Sequence, residues 1–318
     1  NIATSNLCRD RQVTLTTGYG EYSSDGERVG DLYKSSLEYA SGLVDGRWLF
    51  TGRYSDQKSG GYRKGSWYDG WSYYLSLARL DPNMTTELYL YGGPIRMHLA
   101  YWGIDGETMR TDRRANPLTY DNETDNFNQP HYHLHNTWTL SDRATLSNTL
   151  YYIRGEGYYE QLKELSSESD FREYGLDPEL VGVDEADLVR QQWVKKGQWG
   201  WNSRFDLDHA RGRHSLGGSA YYFESDHWGQ VVWVEGLTDP SYDPRHRYYQ
   251  YFGEKIETNL FAQEFYRLND RWSAQAAAVL RYQRYNFDQT RMGEFRGDDY
   301  TVGLQLGVER IGRGLDLG

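Results

Sequence analysis

The feature that most constrains this chain is an alternation of apolar and polar residues with a period of two. In the segment 12–22, for example, Val13 and Leu15 share one face while threonines occupy the other. Such alternation predicts half-buried β-strands, and helical periodicity is nearly absent. The sequence predicts twelve strands, at 12–22, 34–44, 47–56, 69–80, 85–102, 130–140, 144–156, 191–209, 214–225, 248–268, 272–286 and 300–311.

The connections between these strands alternate in length. Short turns are predicted at 45–46, 81–83, 141–143, 211–213 and 269–271. Long polar connections are predicted at 23–33, 57–68, 103–129, 157–190, 226–247 and 287–299. Tight periplasmic turns, long extracellular loops and strands of alternating polarity are typical of bacterial outer-membrane barrels. We therefore predict an all-β, antiparallel, up-and-down transmembrane barrel that forms one domain over 1–318; a β-sandwich with one wet face shares the alternation and stays the alternative.

The composition agrees with a membrane barrel. The chain contains 29 Tyr, 11 Trp and 10 Phe, and such side chains suit a surface that is apolar at one end and wet at the other. The longest aliphatic run, 276–280, is far shorter than the roughly 20 residues that a spanning helix needs. A formal net charge of −11 argues against nucleic acid as a partner. The single Cys8 excludes an intrachain disulfide framework.

Two local signals modify the strand pattern. Gly92, Gly93 and Pro94 lie inside the fifth predicted strand and predict a bulge or break there. The segment 177–180 begins with Asp and Pro and predicts a helix N-terminus in a long loop, with a second helical turn over 185–189.

Several short segments resemble the TonB-dependent receptors of the Gram-negative outer membrane. They are NIAT at 1–4, SGLVDGRW at 41–48, GGP at 92–94 followed by HLAYWGI at 98–104, QPHY at 129–132 and DLVRQQWV at 187–194. The family's barrel has about 22 strands and an N-terminal plug. The resemblance implies that the chain is the N-terminal part of such a barrel without its plug, truncated or partial, with 1–10 as the remnant of the plug-to-barrel junction and 312–318 as a tail.

The same resemblance implies a function and a set of partners. It predicts a receptor in the outer membrane for uptake of a ferric siderophore or a similar scarce nutrient. The expected partners are outer-membrane lipid, a small ligand such as a metal chelate, and an inner-membrane energy-coupling protein if the full protein has the plug. Two alternatives remain: a small passive pore, or a soluble β-sandwich that binds carbohydrate through its aromatic side chains.

Motifs of enzymes are missing from the sequence. There is no phosphate-binding Gly loop, no Gly-x-Ser-x-Gly elbow and no pair of cysteines for zinc. Glu156 and Glu160 could form an acid/base pair, but such proximity is expected by chance among 46 acidic residues. We predict no enzyme, no cofactor and no resident metal.

Three histidines form the first candidate for a ligand-binding site. His131, His133 and His135 share one strand face, because side chains alternate, while Tyr132 and Leu134 take the other. Lipid should contact the apolar side, so the imidazoles are predicted to face the lumen, where they could bind iron, zinc or haem. The alternative is that they are ordinary polar residues of a wet lumen.

The predicted loop 226–247 is the second candidate, because it is rich in aromatic residues. It contains His227, Trp228 and Trp233, which could grip a bulky ligand. Tryptophans near strand ends also form the aromatic girdle at the membrane interface, which is the alternative role.

The number of predicted strands bears on closure of the barrel. Twelve is even, so the first and last strands can pair antiparallel, around Leu15 and Leu304, and remove both sheet edges. In a receptor fragment these two segments should instead stay apart and pair with other strands.

Overall fold

The computed structural model describes residues 7–165, 168–176, 186–237, 245, 247–291 and 295–312. They form a single antiparallel sheet of fourteen strands with two short helices. The strands are β1 (Arg11–Ser24), β2 (Glu27–Ser41), β3 (Trp48–Ser59), β4 (Tyr68–Asp81), β5 (Met84–Gly92), β6 (Pro94–His98), β7 (Thr124–Asn128), β8 (His131–Ser141), β9 (Ala144–Leu165), β10 (Ala186–His209), β11 (Gly212–Val234), β12 (Arg247–Arg267), β13 (Trp272–Arg291) and β14 (Phe295–Gly312). The helices are α1 (Gly106–Thr111) and α2 (Glu168–Glu173). The predicted all-β, antiparallel, up-and-down arrangement of strands is confirmed. Among the described residues, no helix is long and apolar enough to cross a membrane.

The main path of the sheet runs through twelve strands, as the sequence predicts. The two further strands continue members of this path: β6 follows β5 and pairs with β4 and β7, while β7 precedes β8 and pairs with β6 and β9. The break between β5 and β6 falls at Gly93, where φ is 154°. A Cβ at Gly93 would lie 1.9 Å from the carbonyl oxygen of Trp71, so only glycine fits there. The predicted break is confirmed.

Consecutive antiparallel strands place their connections at two opposite rims. The five predicted short turns join β2 to β3, β4 to β5, β8 to β9, β10 to β11 and β12 to β13. They define the short-turn rim. The long-loop rim carries the connections from β1 to β2, β3 to β4, β6 to β7, β9 to β10, β11 to β12 and β13 to β14. The two rims separate the connections as the alternation predicts.

Five of the six predicted long connections are wrong in extent, and one of these, 103–129, contains β7. The segment 23–33 is a tight hairpin, because Asp25 and Gly26 adopt φ of 53° and 83° and form a two-residue turn between β1 and β2. The described residues of 157–190, 226–247 and 287–299 are mostly strand. Strands β9 and β10 extend over 144–165 and 186–209, β11 ends at Val234, β13 ends at Arg291 and β14 begins at Phe295. The helical turn predicted at 185–189 is therefore also wrong, and the helix predicted at 177–180 lies outside the described residues.

The two faces of the sheet differ in burial. One face carries exposed apolar side chains that are direct cross-strand neighbours over five strands: Leu77, Leu88, Leu134, Leu150 and Trp201. The other face carries buried small or polar residues. Bending a sheet crowds the side chains of its concave face and spreads those of its convex face, so we take the more buried face as concave. The wall is thus apolar outside and polar inside.

The concave face also carries a row of residues that are direct neighbours across five strands. They are Thr51, Ser76, Tyr89, His133 and Tyr151, of which the first three are buried.

A small apolar core lies at the long-loop rim. The segment after β9 folds back as α2, and its residues Phe171, Tyr174 and Leu176 are buried. They cluster with strand residues Leu188, Val231, Val234 and Tyr248. Alternation along β10 places Leu188 on the concave face, so α2 leans over the inner side of the wall.

The sheet ends at β1 and β14. Within the described residues no ladder joins these two strands, so the closure predicted around Leu15 and Leu304 is not found there. Residues 1–6 and 313–318, which hold most of the predicted junction and tail, lie outside the described residues.

Candidate functional site

The three predicted histidines form a ladder along β8, which we term the histidine ladder (His131, His133 and His135). All three are half-buried on the concave face, whereas Tyr132 and Leu134 are exposed on the convex face. The ring centroids of His131 and His133 lie 5.7 Å apart, and those of His133 and His135 lie 5.8 Å apart. The three imidazoles therefore point to the inner side of the wall, as the alternation along the strand predicts.

Tyrosines of the neighbouring strands enclose the histidine ladder. Tyr91 stacks on His131 with centroids 4.6 Å apart and an interplanar angle of 14°. Tyr89 meets His135 edge-on at 5.1 Å. Tyr151 lies 5.8 Å from His133 on the opposite side. Sequence reasoning missed these tyrosines, although Tyr89 and Tyr91 alternate on β5 with the same spacing as the histidines that they face.

Hydrogen bonds satisfy only part of the histidine ladder. The amide nitrogen of Gln129 lies 3.1 Å from Nε2 of His131, and the Thr149 hydroxyl lies 3.1 Å from Nδ1 of His135. His131 Nδ1 and His135 Nε2 are buried and have no hydrogen-bond partner within the described part of the chain. Buried imidazole nitrogens need a partner, which water or a ligand can supply.

The histidine ladder does not converge on one point. Among the described residues it is not one of the groups whose potential ligand atoms all lie within 4.8 Å of one another. Rings spaced along a strand cannot all reach one small ion. The arrangement suits separate contacts to a larger ligand, through stacking or single hydrogen bonds, better than enclosure of a bare metal ion.

The concave face continues toward the long-loop rim with a lysine and a fourth histidine. The side chain of Lys196 extends over Gly155, where an added Cβ would lie 2.5 Å from Lys196 Cε. Its ammonium lies 5.1 Å from the ring centre of Phe127. His227 stacks on Tyr251 with centroids 4.6 Å apart and an interplanar angle of 11°. Aromatic rings, imidazoles and one cation therefore line this part of the inner wall.

The predicted grouping of His227, Trp228 and Trp233 in one loop is wrong. All three belong to β11, because that strand extends beyond the predicted end. Trp228 lies on the convex face, where it stacks on Trp193 at 5.5 Å and is covered by the guanidinium of Arg247 at 4.4 Å. Trp233 is exposed on the same side. Both tryptophans lie on the convex face, and of the three residues only His227 faces inward.

The loop between β6 and β7 is anchored at the long-loop rim by arginines. Arg63 donates hydrogen bonds to the carbonyl oxygens of Ala100, Trp102 and Ala115 at 2.8–2.9 Å. Arg114 donates to the carbonyl oxygen of Tyr62 at 2.9 Å. These bonds hold the loop against the β3–β4 connection.

A buried carboxylate fixes the far end of the same loop. Glu160 of β9 accepts hydrogen bonds from the Tyr120 hydroxyl at 2.9 Å, from the Asn122 amide, and from the Gln191 amide at 2.7 Å. Burial and the hydrogen bond to Glu160 raise the pKa of Tyr120 to about 12. Glu160 is thus an anchor for the loop, and it does not form an acid/base pair with the exposed Glu156.

Helix α1 and the α2 segment complete the long-loop rim. Asp105 caps α1 by accepting bonds from the backbone N–H of Glu107 and Thr108 and from the Thr108 hydroxyl, and these bonds lower the pKa of its carboxyl. The guanidinium of Arg190 donates to Gln161 at 2.9 Å and lies over the ring of Tyr174 at 5.7 Å. The α2 segment therefore borders the inner wall at this rim, and α1 is part of the β6–β7 loop.

The fold matches that of solved outer-membrane receptors. The ferric citrate transporter FecA, in its unliganded form, matches with a TM-score of 0.69 over 98% of this chain and 44% of its own, at 11% identity. The ferric-catecholate import receptor Fiu from E. coli K12 gives 0.65 over 96% and 52%, at 10% identity. The ferric yersiniabactin uptake receptor FyuA from Yersinia pestis gives 0.62 over 96% and 45%, at 10% identity.

These matches define the fold. The matched proteins are TonB-dependent receptors, so the resemblance that the sequence segments indicate is confirmed at the level of the fold. No protein-family model and no curated protein sequence matches the chain. The chain spans about half the length of the solved structures that it matches.

Proposed function

We propose that this chain forms part of the barrel wall of a TonB-dependent outer-membrane receptor that takes up a ferric siderophore or a similar metal chelate. The observation that carries the proposal is the combination of a receptor-barrel fold over nearly the whole chain with an apolar convex face and a polar concave face. A soluble sandwich would not expose a continuous apolar row over five strands. A role as transporter, and not as enzyme, fits the concave site.

The two faces suggest how the wall sits in the outer membrane of a Gram-negative bacterium. The exposed apolar side chains of the convex face would contact lipid, since hydrocarbon excludes polar groups. The short-turn rim would face the periplasm and the long-loop rim the exterior, as in other outer-membrane barrels. Lipid is therefore one proposed partner.

The ligand proposal rests on the histidine ladder and its tyrosines. Their rings offer flat stacking surfaces, and His131 Nδ1 and His135 Nε2 each have an unused hydrogen-bonding position. Lys196 adds a positive charge to the inner wall, which suits an anionic chelate. His227 and Tyr251 extend the same surface toward the exterior. We infer that a bulky chelate contacts this wall, and that no metal is resident there.

Two further elements of the proposal come from the resemblance alone. Residues 1–10 would be the junction between a plug and the barrel, and 312–318 a tail. An inner-membrane energy-coupling protein would be a partner if the full protein has the plug. The runner-up function is a small passive pore, which needs neither of them.

Ligand binding tests the proposal most directly. The protein is purified from membranes in detergent. Addition of ferric citrate or a ferric catecholate should quench its tryptophan fluorescence. His133→Ala should weaken binding at least about tenfold through loss of a stacking and hydrogen-bonding partner. Thr137→Ala, on the same strand and face but nearer the short-turn rim, is the matched control and should bind normally.

Two further measurements on this protein, uptake by cells and conductance in bilayers, distinguish a receptor from a pore. Uptake of the bound chelate by cells should stop when the proton-motive force is collapsed. Steady open conductance in planar bilayers, without saturable chelate binding, would instead support the passive pore and contradict the receptor.

A further inference from the structure

A separate cluster of metal-ligand residues lies at the opposite rim from the histidine ladder. His209 ends β10, His214 lies early in β11, and Glu264 lies in β12 directly opposite His214 in the ladder. His209 Nε2 is 2.9 Å from Glu264 Oε1, while His214 Nδ1 contacts Glu264 Oε2. The two imidazoles stack with centroids 4.6 Å apart. Their candidate ligand atoms all lie within 4.8 Å of one another.

The chemistry of this cluster is that of a transition-metal site. Two imidazoles and one carboxylate form a ligand set that Zn²⁺ uses in proteins, with water completing the coordination. Within the described residues it is the one group of three such side chains that meets this spacing. Each carboxylate oxygen faces one imidazole nitrogen, and Glu264 Oε2 is buried with no hydrogen-bond partner among the described residues. An ion bound between the three side chains would supply that oxygen with a partner.

The position of the cluster makes it accessible. Alternation along β11 places His214 on the convex face, together with the exposed Leu216. Leu216 lies two residues nearer the apolar row of that face. The side chain of His214 is 54% exposed, which leaves an approach for an ion. The backbone N–H of Arg211 lies 3.3 Å from His209 Nδ1, and metal binding at Nε2 would weaken this long contact as well as the bond from Nε2 to Glu264.

The hairpin at this rim is held by another interaction. Arg213 forms a salt bridge with Asp208, with Nε 2.6 Å from Oδ1. The pair lies on the opposite strand face from His214 and uses none of the cluster's side chains. The turn therefore has a salt bridge of its own and does not depend on His214 or Glu264 for its closure.

We propose that His209, His214 and Glu264 form a binding site for a divalent transition-metal ion such as Zn²⁺ at the short-turn rim. The ion would link three adjacent strands, β10, β11 and β12, near the membrane boundary. This site is independent of the proposed chelate-binding wall, so either proposal can fail without the other.

Metal titration tests this site. Protein without an affinity tag, folded in detergent micelles, is titrated with Zn²⁺ in competition with a chromophoric chelator, and one ion should bind per chain. His214→Ala and Glu264→Gln should each weaken binding at least about 100-fold, since loss of a direct ligand exceeds the 10–100-fold cost of losing an outer-shell partner. Co²⁺ should give a visible spectrum that both variants lose.

Two control variants make the result decisive. Asp208→Ala removes the neighbouring salt bridge, and His133→Ala removes the middle of the histidine ladder, and both should bind Zn²⁺ normally. Retention of tight binding in His214→Ala and Glu264→Gln would overturn the proposal, as would loss of binding in His133→Ala. The heat-dependent shift in gel mobility verifies that each variant is folded. Because His214 is exposed, His214→Ala should disturb folding less than Glu264→Gln.

Discussion

Replacement of Glu160 by alanine should release the loop between β6 and β7. Glu160 is only 6% exposed, and its carboxylate accepts three hydrogen bonds, two from the loop residues Tyr120 and Asn122 and one from Gln191. Glu160→Ala leaves all three donors without an acceptor inside the protein. We therefore expect the far end of the loop to open while the strand ladders remain intact.

The expected magnitude follows from these bonds. A hydrogen bond to a charged group contributes about 1.5–3 kcal/mol, so three would give roughly 4–9 kcal/mol if they were additive. They share one carboxylate, and the released loop regains conformational entropy, so we expect a loss of about 4 kcal/mol in local opening free energy. This corresponds to an increase of about 10³-fold in the exchange rate of the protected amides.

Hydrogen exchange followed by mass spectrometry in detergent measures this effect. The amides of Leu99 and Glu123 are suitable probes, since they donate to Glu123 O at 2.7 Å and Tyr120 O at 3.0 Å. Glu156→Ala is the matched control, because Glu156 lies on the same strand and face but forms only an exposed bridge to Arg154, worth about 0–1 kcal/mol. Unchanged exchange in Glu160→Ala, or an equal change in Glu156→Ala, would refute the anchoring role.

Three further predictions concern the wall and its rims. Leu134→Arg on the convex face should destabilise the barrel in lipid vesicles by about 2–4 kcal/mol in urea unfolding, whereas Thr137→Arg on the concave face should cost clearly less; equal costs would contradict the assignment of faces. Gly93→Ala places a Cβ 1.9 Å from a carbonyl oxygen of β4 and should block assembly of the barrel, while Gly103→Ala meets no atom within 4 Å and should fold normally. An impermeant thiol reagent added to intact cells should label a cysteine in α1 but not one at Asp142; labelling of both would show that the rims do not lie on opposite sides.

The strands were predictable because their alternation depends only on local sequence. Where the convex face is apolar, the alternation of apolar and polar residues alone locates a strand and shows which of its side chains point outward, as in 131–141. Beyond the apolar row the ladders continue, but neither face is selected for apolar residues, so the alternation fades. This is why 157–165 and 226–234 look like loop although they are paired strand. The Asp25–Gly26 hairpin is a different case, since its Asp-Gly turn signal lies inside a polar segment that has the composition of a long loop.

The candidate sites required information that parity does not supply. The inward orientation of His133 follows from its neighbours in sequence, but its contacts with Tyr91 and Tyr151 depend on the register of β8 with two other strands. Register is fixed by backbone hydrogen bonds and turn geometry over the whole hairpin. The pairing of His214 with Glu264 has the same origin, because the two residues lie on neighbouring strands, fifty positions apart in sequence.

Closure of the sheet is the feature that local sequence is least able to predict. An even number of strands allows the first and last to meet antiparallel, but it does not make them meet. Closure depends on tilt, stagger and curvature, which are collective properties of all the strands. Val13 and Leu15 of β1 are 68% and 70% exposed, as expected for a strand that has a neighbour on one side only among the described residues. Because unpaired backbone groups cost several kcal/mol each in hydrocarbon, β1 and β14 need partners before this wall is stable in a membrane. The identity of those partners is therefore part of the function, as much as the residues that line the concave face.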